Sequence, residues 1–264
     1  MMNKLMGKNI VITGASSGIG EKIAVEVAKE GARPILLARS SEKLANLCDK
    51  LKQQYEIDAR YYSLDVSDSS EVRRVFTLIY EEVGFIDVLL NNAGFGIFEL
   101  AHKASYDEIE RMFQVNVMGL IACTQEVLPS MLEKNKGHII NIASQAGKLA
   151  TPKSSAYSAT KHAVLGYTNS LRLEVAKTNI HISAVNPGPI QTNFFDIADQ
   201  SGNYVKNVEK FMLSSDDVAK KVTKLMVNPK RELNLPGWMN LGSVLYQLFP
   251  TLADKLVGGM LNKK

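Results

Sequence analysis

Six short apolar runs alternate with helical patterns through most of this chain, and that alternation restricts the fold more than any single residue does. Lys8 to Thr13 is the first run; it ends in Gly14-Ala15-Ser16-Ser17-Gly18-Ile19-Gly20. Helical spacing follows at Ile19, Ile23, Val27 and Ala28, and Gly31 closes that helix. Pro34 to Ala38 makes a second strand and Glu42 to Tyr55 a second helix. Asp58 to Val66 reads as a third strand with Asp65 near its end, and Asp68 caps a helix running to about Val83. Ile86 to Leu90 is a fourth strand, followed by Asn91-Asn92-Ala93-Gly94 and a long helix over roughly Tyr106 to Leu132. Gly137 to Ala143, a helix from about Ser155 to Ala176, and Ile180 to Val185 complete the pattern. Strands that are each separated by a helix pair in parallel and are covered on both faces. The expected class is α/β: a single doubly wound domain whose parallel sheet of about seven strands is flanked by helices on both faces.

The remaining chain is less regular. Residues 190–213 scatter Phe194, Phe195, Phe211 and Met212 among polar residues and read as a lid over a pocket. Asp216 to Val227 is a further helix, and Glu232 to Leu235 a last strand. The expected division is a main domain over 1–235 and an apolar, helical extension over 236–264.

Bulk properties exclude several function classes. At 264 residues the chain is long enough for one large domain, and its 45% hydrophobic and 22% charged content is ordinary for a globular protein. The formal charge of +4 is spread along the chain, with no basic block dense enough for nucleic acid. Cys48 and Cys123 stand far apart inside helical patterns and read as buried thiols of a reducing compartment. The first strand begins by about residue 9, which leaves no room for a signal peptide, and no apolar run reaches the ~18 residues of a membrane span. A cytoplasmic protein is expected.

The chemistry centres on Tyr157 and Lys161, one turn apart on one helical face. An unperturbed phenol has a pKa of about 10, and a neighbouring ammonium favours the phenolate, so the pair makes a tunable acid/base for a carbonyl or hydroxyl oxygen. The glycine string after the first strand and before a helix is the context in which backbone amides and a helix N-terminus receive a pyrophosphate.

Rival readings fail on particulars. Gly14-Ala15-Ser16-Ser17-Gly18 also satisfies the G-x-S-x-G elbow of α/β-hydrolases, but it follows the first strand, and neither an oxyanion loop nor a late acid–histidine pair accompanies it. No G-x-x-x-x-G-K-[ST] string occurs, and neither C-x-x-C nor H-x-x-x-H supports a metal site. A Rossmann methyltransferase would leave Tyr157 and Lys161 unexplained.

Taken together, the Thr13–Gly20 loop, Asp65-Val66, Asn91-Asn92-Ala93-Gly94, Asn116, Ser144, Tyr157-x-x-x-Lys161 and Asn186-Pro187-Gly188 with Thr192 resemble the short-chain dehydrogenase/reductase family. They keep its order and spacing across roughly residues 5–195. The resemblance implies a Rossmann fold and hydride transfer between a nicotinamide cofactor and a carbonyl or alcohol. It implies a catalytic set of Asn116, Ser144, Tyr157 and Lys161. Tyr157 would give or take the proton, and Lys161 would lower its pKa and hold the nicotinamide ribose. Ser144 would bond the substrate oxygen, and Asn116 would keep a water and Lys161 in a proton relay. The implied cofactor cradle is Gly14, Ser16, Ser17, Gly18, Ile19, Gly20, Arg39, Asp65, Val66, Asn92, Ala93, Gly94, Tyr157, Lys161, Pro187, Gly188, Ile190 and Thr192.

At the end of the second strand, Ala38-Arg39 replaces the acidic residue that NAD-dependent relatives use, so NADP(H) is expected ahead of NAD(H). Phe95, Ile97, Phe98 and the lid aromatics hint at an apolar carbonyl substrate. A homodimer or homotetramer is expected. The other reading is an NADP-binding protein that works by protein or membrane association through its tail. In that tail, Trp238, Leu241, Leu245, Leu248 and Phe249, then Leu252, Leu256, Val257, Met260 and Leu261, are expected to pack on the pocket or a neighbouring subunit ahead of lying on a membrane.

Overall fold

The computed structural model describes residues 4–199 and 202–251. Strands β1 (Asn9–Thr13), β2 (Arg33–Ala38), β3 (Arg60–Ser63), β4 (Val88–Asn91), β5 (Gly137–Ile142), β6 (Ile180–Pro187) and β7 (Glu232–Leu235) form one sheet. The order is β3-β2-β1-β4-β5-β6-β7, and every pairing is parallel. Order reverses between β1 and β4, the switch point at which doubly wound sheets bind ligands beyond the strand C-termini.

Alternation along each strand builds two cores. Ile10, Ile12 and Leu36 face one side, where α1 (Gly18–Lys29), α2 (Ser41–Tyr55) and α9 (Ser215–Val227) bury Ile23, Leu44 and Val222. Val11, Ile35 and Leu37 face the other, under α3 (Ser69–Val83), α5 (Leu120–Lys134) and α6 (Ser155–Glu174), which bury Phe76, Val127 and Leu171. Asp68 caps α3 as expected, accepting from the backbone N–H groups of Ser70 and Glu71.

Two elements depart from the sequence reading. The third strand is shorter than 58–66, because the Asp65 N–H donates to Glu71 Oε2 at 3.1 Å and the Asp65 carboxylate accepts from the Ser67 N–H at 3.0 Å. Those side-chain bonds take the backbone out of the ladder. The long helix is α4 (Tyr106–Phe113) and α5 joined by a π-turn segment, Gln114–Gly119. Over Tyr106–Lys134 the continuous helix is long and apolar enough to cross a membrane by length and composition, but Cys123, Val127 and Met131 lie fully buried against the sheet. Cys48 is half-buried rather than buried, and both cysteines are free thiols.

Past β6 the chain makes three short pieces: α7 (Phe194–Ala198), α8 (Asn203–Val208) and one 3-10 turn, Glu209–Phe211. The base of this excursion is closed, since the Gln191 N–H donates to the Leu213 carbonyl at 2.9 Å and the Leu213 N–H to the Pro189 carbonyl at 2.8 Å. The excursion falls within residues 190–213, the span read as a lid. Finally, α10 (Trp238–Leu248) covers the start of the tail; the apolar residues expected from Leu252 onward lie outside the described residues.

Candidate active site

The glycine loop is built for close backbone approach. Gly14 turns with φ +66°, and a Cβ there would come within 2.9 Å of the Ala93 Cα. A Cβ on Gly20 would meet the Gly14 carbonyl oxygen at 2.4 Å, so the start of α1 rests directly on the loop. Thr13, absent from the expected site residues, holds the two strand ends together. Its Oγ1 accepts from the N–H groups of Asn92 (2.9 Å) and Ala93 (3.0 Å). The Asn92 side chain returns the contact, donating to the Thr13 and Gly14 carbonyls at 2.9 and 3.1 Å.

At the head of α1 the Ser17 side chain makes no capping bond, and Gly18 adopts φ +60° with Thr192 across from it. First-turn amides and the positive helix end are thus left to an anion. Arg39 is exposed at the end of β2, and among the described residues it makes no ion pair. Asp65 stands close enough for Arg39 to act on it. Its partial burial raises the carboxyl pKa, but the Ser67 hydrogen bonds and the Arg39 charge outweigh that and hold it below the ordinary range. Val66 lies buried beneath Gly119 of the π-turn. These features fit a dinucleotide: the backbone of a glycine-containing turn for a pyrophosphate, and at the end of β2 a guanidinium with no ion pair among the described residues for an adenosine 2′-phosphate.

The four expected catalytic residues converge beyond the ends of β4 and β5. Asn116 projects from the π-turn; it accepts from the Phe95 N–H at 3.0 Å and donates to the Phe95 carbonyl at 2.8 Å and to Thr160 Oγ1 at 3.1 Å. Such turns place a side chain that a regular helix would rotate away. A Cβ on Gly94 would sit 3.0 Å from Asn116 Oδ1 and 3.8 Å from Lys161 Nζ, so a side chain there would crowd Asn116. Ser144 follows β5, its Oγ accepting from the Ala146 N–H at 3.0 Å and donating to the Pro187 carbonyl at 3.4 Å.

Tyr157 and Lys161 both sit buried on α6, 8% and 6% exposed. Lys161 Nζ donates to the Ile142 carbonyl at 2.9 Å. Burial lowers the Lys161 pKa to about 8. Burial also raises the Tyr157 pKa, with the Ser144 hydroxyl pulling it down and Tyr204 pushing it up. The expected net lowering of the Tyr157 pKa is not found: burial shifts both groups toward their neutral forms.

Aromatic rings close the site. Phe98 and Phe194 each lie with ring centroids 5.7 Å from Tyr157. Phe98 also meets Tyr204 at 5.0 Å, and Phe195 stacks on Tyr204 at 5.6 Å. Gly96 makes room for this packing, since a Cβ there would meet Phe194 Cζ at 2.8 Å and Tyr157 Cδ2 at 3.0 Å. Neither Gly96 nor Tyr204 carries a sequence signal that singles it out. Of the cradle residues, Pro187 ends β6 and Gly188 follows it, under Met239 of α10, and Ile190 bridges to Leu213. Ser16 and Ile19 are part-buried in the loop and the first turn of α1.

The fold has counterparts among known proteins. The family model described as short chain dehydrogenase matches residues 8–201. An NADP-dependent 3-hydroxy acid dehydrogenase of Schizosaccharomyces pombe is 37% identical over 225 residues, covering 83% of this chain and 86% of that one. An alcohol dehydrogenase from the archaeon Thermococcus sibiricus, solved with 5-hydroxy-NADP, superposes with TM-score 0.79 at 29% identity, over 86% of this chain and 95% of that one. A short chain dehydrogenase/reductase from Burkholderia phymatum, solved with NAD, has TM-score 0.86 at 25% identity, over 94% and 96% of the two chains.

Proposed function

This chain belongs to the short-chain dehydrogenase/reductase family, and on that footing we propose that it is an NADP(H)-dependent oxidoreductase reducing an apolar carbonyl compound to its alcohol, or the reverse. The observation that carries the reading is the Tyr157 phenol, buried on α6 near Ser144 and faced by the rings of Phe98 and Phe194. A protonated phenol is the form that reduction needs.

The bound cofactor supplies the hydride, and the protein supplies position and the proton. The glycine loop, the head of α1 and Arg39 would hold the phosphates, while Lys161 and the Asn92–Gly94 turn flank the place for the ribose and nicotinamide. Tyr157 donates its phenolic proton to the substrate oxygen as charge builds there, and Ser144 Oγ stabilises the same oxygen by a hydrogen bond. Lys161, cationic below about pH 8, favours the phenolate that remains. Asn116 acts as a positioning residue, clamping the Phe95 backbone and the Thr160 hydroxyl so that Lys161 and the loop after β4 keep their places. Phe98, Phe194 and Tyr204 exclude water and favour an apolar substituent on the carbonyl carbon.

The relative from Schizosaccharomyces pombe carries NADP in its name, and the alcohol dehydrogenase was solved with an NADP derivative; both support the same choice here, together with Arg39 at the end of β2. The test is NADPH consumption against a panel of apolar ketones and aldehydes, run beside Tyr157→Phe. Turnover that needs NADPH, an apolar carbonyl and the Tyr157 hydroxyl is the expected result.

A further inference from the structure

Helix α10 is inside out for a helix on a water-soluble surface. The side it turns toward the protein carries Asn240 and Ser243, with Met239 over Gly188; Ser243 is 2% exposed. Its outer side carries Trp238, Leu241, Val244, Leu245 and Leu248, followed by Phe249. Trp238, Leu241 and Leu248 are each 64–67% exposed. In an ordinary amphipathic helix the apolar stripe faces the core. Exposed Phe211 extends the patch, its ring centroid 6.5 Å from that of Trp238. A contiguous apolar patch of this kind marks a surface that something covers.

The geometry points to a lipid bilayer carrying anionic headgroups as that partner. No Asp, Glu, Lys, Arg or His occurs from Pro236 to Ala253, so the face offers no charge to set register against a protein. The residues that follow hold Lys255, Lys263 and Lys264 against one acid, Asp254, which complements an anionic surface. Trp238 is the kind of residue that settles at headgroup level, with leucines reaching deeper.

Placement gives the face a use. α10 abuts the site's own loops: Asn240 Oδ1 lies 3.5 Å from Lys148 Nζ, just past the Ser144 turn, and Met239 lies over Gly188. Through Trp238 and Phe211 it also borders the lid. Docking would therefore turn the mouth of the site toward the bilayer, where an apolar carbonyl compound is concentrated; this last step rests on the proposed reaction, whereas docking does not.

The sole tryptophan of the chain lies on the face, so its own emission reports docking. Full-length protein is mixed with vesicles of phosphatidylcholine and phosphatidylglycerol, and with vesicles of phosphatidylcholine alone. Expected are a blue shift of Trp238 emission and co-sedimentation, both stronger with the anionic vesicles. Leu241→Glu and Leu245→Glu should each lower vesicle affinity at least about tenfold while NADPH turnover of a water-soluble ketone persists. Unshifted emission with all protein in the supernatant overturns the inference, whether or not the two variants change the oligomeric mass. So does vesicle binding that both glutamates leave intact.

Discussion

Lys161 Nζ lies 5.7 Å from the ring centroid of Tyr157, one helical turn along α6, with both side chains nearly excluded from solvent. That spacing lets the ammonium act on the phenol through a low-dielectric medium. It also makes each group's charge costly to the fold. Tyr157 answers by staying neutral. Lys161 keeps one hydrogen bond, to Ile142, and a depressed pKa.

The depressed Lys161 pKa has a consequence for stability. Its ordinary value is 10.5, and burial brings it to about 8. Below about pH 8 the folded protein bears the full cost of a buried cation. Between about 8 and 10.5 the unfolded chain binds more protons than the folded one, so stability rises with pH. The gain from this group is at most about 3 kcal/mol. Urea unfolding of the cofactor-free protein should show that rise, and Lys161→Met should flatten it. An equal rise in the variant would assign it to other groups.

Arg39→Asp should shift preference from NADPH toward NADH. Losing a charge-assisted bond to the 2′-phosphate costs roughly 1.5–3 kcal/mol of NADPH affinity, and the new carboxylate can accept from a ribose diol. Dissociation constants for both cofactors check this. Wild-type protein that binds the two equally would remove Arg39 from the cofactor site.

Gly96→Ala should damage turnover more than cofactor binding. The added methyl would enter the space of Phe194 and the Tyr157 ring, while the glycine loop and Arg39 lie elsewhere. A displacement of the phenol by about 1 Å lowers kcat on the order of 100-fold. NADPH affinity should change by only a few-fold; steady-state kinetics beside a binding titration separates the two.

Much of this was legible because backbone geometry demanded particular residues. Gly14 and Gly20 are forced by contacts that no side chain survives, and so their spacing marks the loop in the bare sequence. Period-2 alternation in Ile10-Val11-Ile12 and in Ile35-Leu36-Leu37 serves two cores at once, which is why the runs read as buried strands. The π-turn around Asn116 left no such trace, since hydrogen-bond register in a helix has no local residue requirement. Tyr204 joins the aromatic cluster only through tertiary packing. The outward face of α10 was visible as an apolar pattern, but which side of that helix meets solvent depends on Asn240 and Ser243 fitting against loops far away in sequence.

The most direct test of the proposed chemistry is Tyr157→Phe. The substitution keeps the ring against Phe98, Phe194 and Gly96 and removes only the oxygen that moves the proton. Single-turnover reduction of an apolar ketone with NADPH is followed alongside NADPH affinity. The account predicts a rate lower by at least about 100- to 10,000-fold with affinity held within a few-fold. A variant that reduces the ketone at close to the wild-type rate would contradict it.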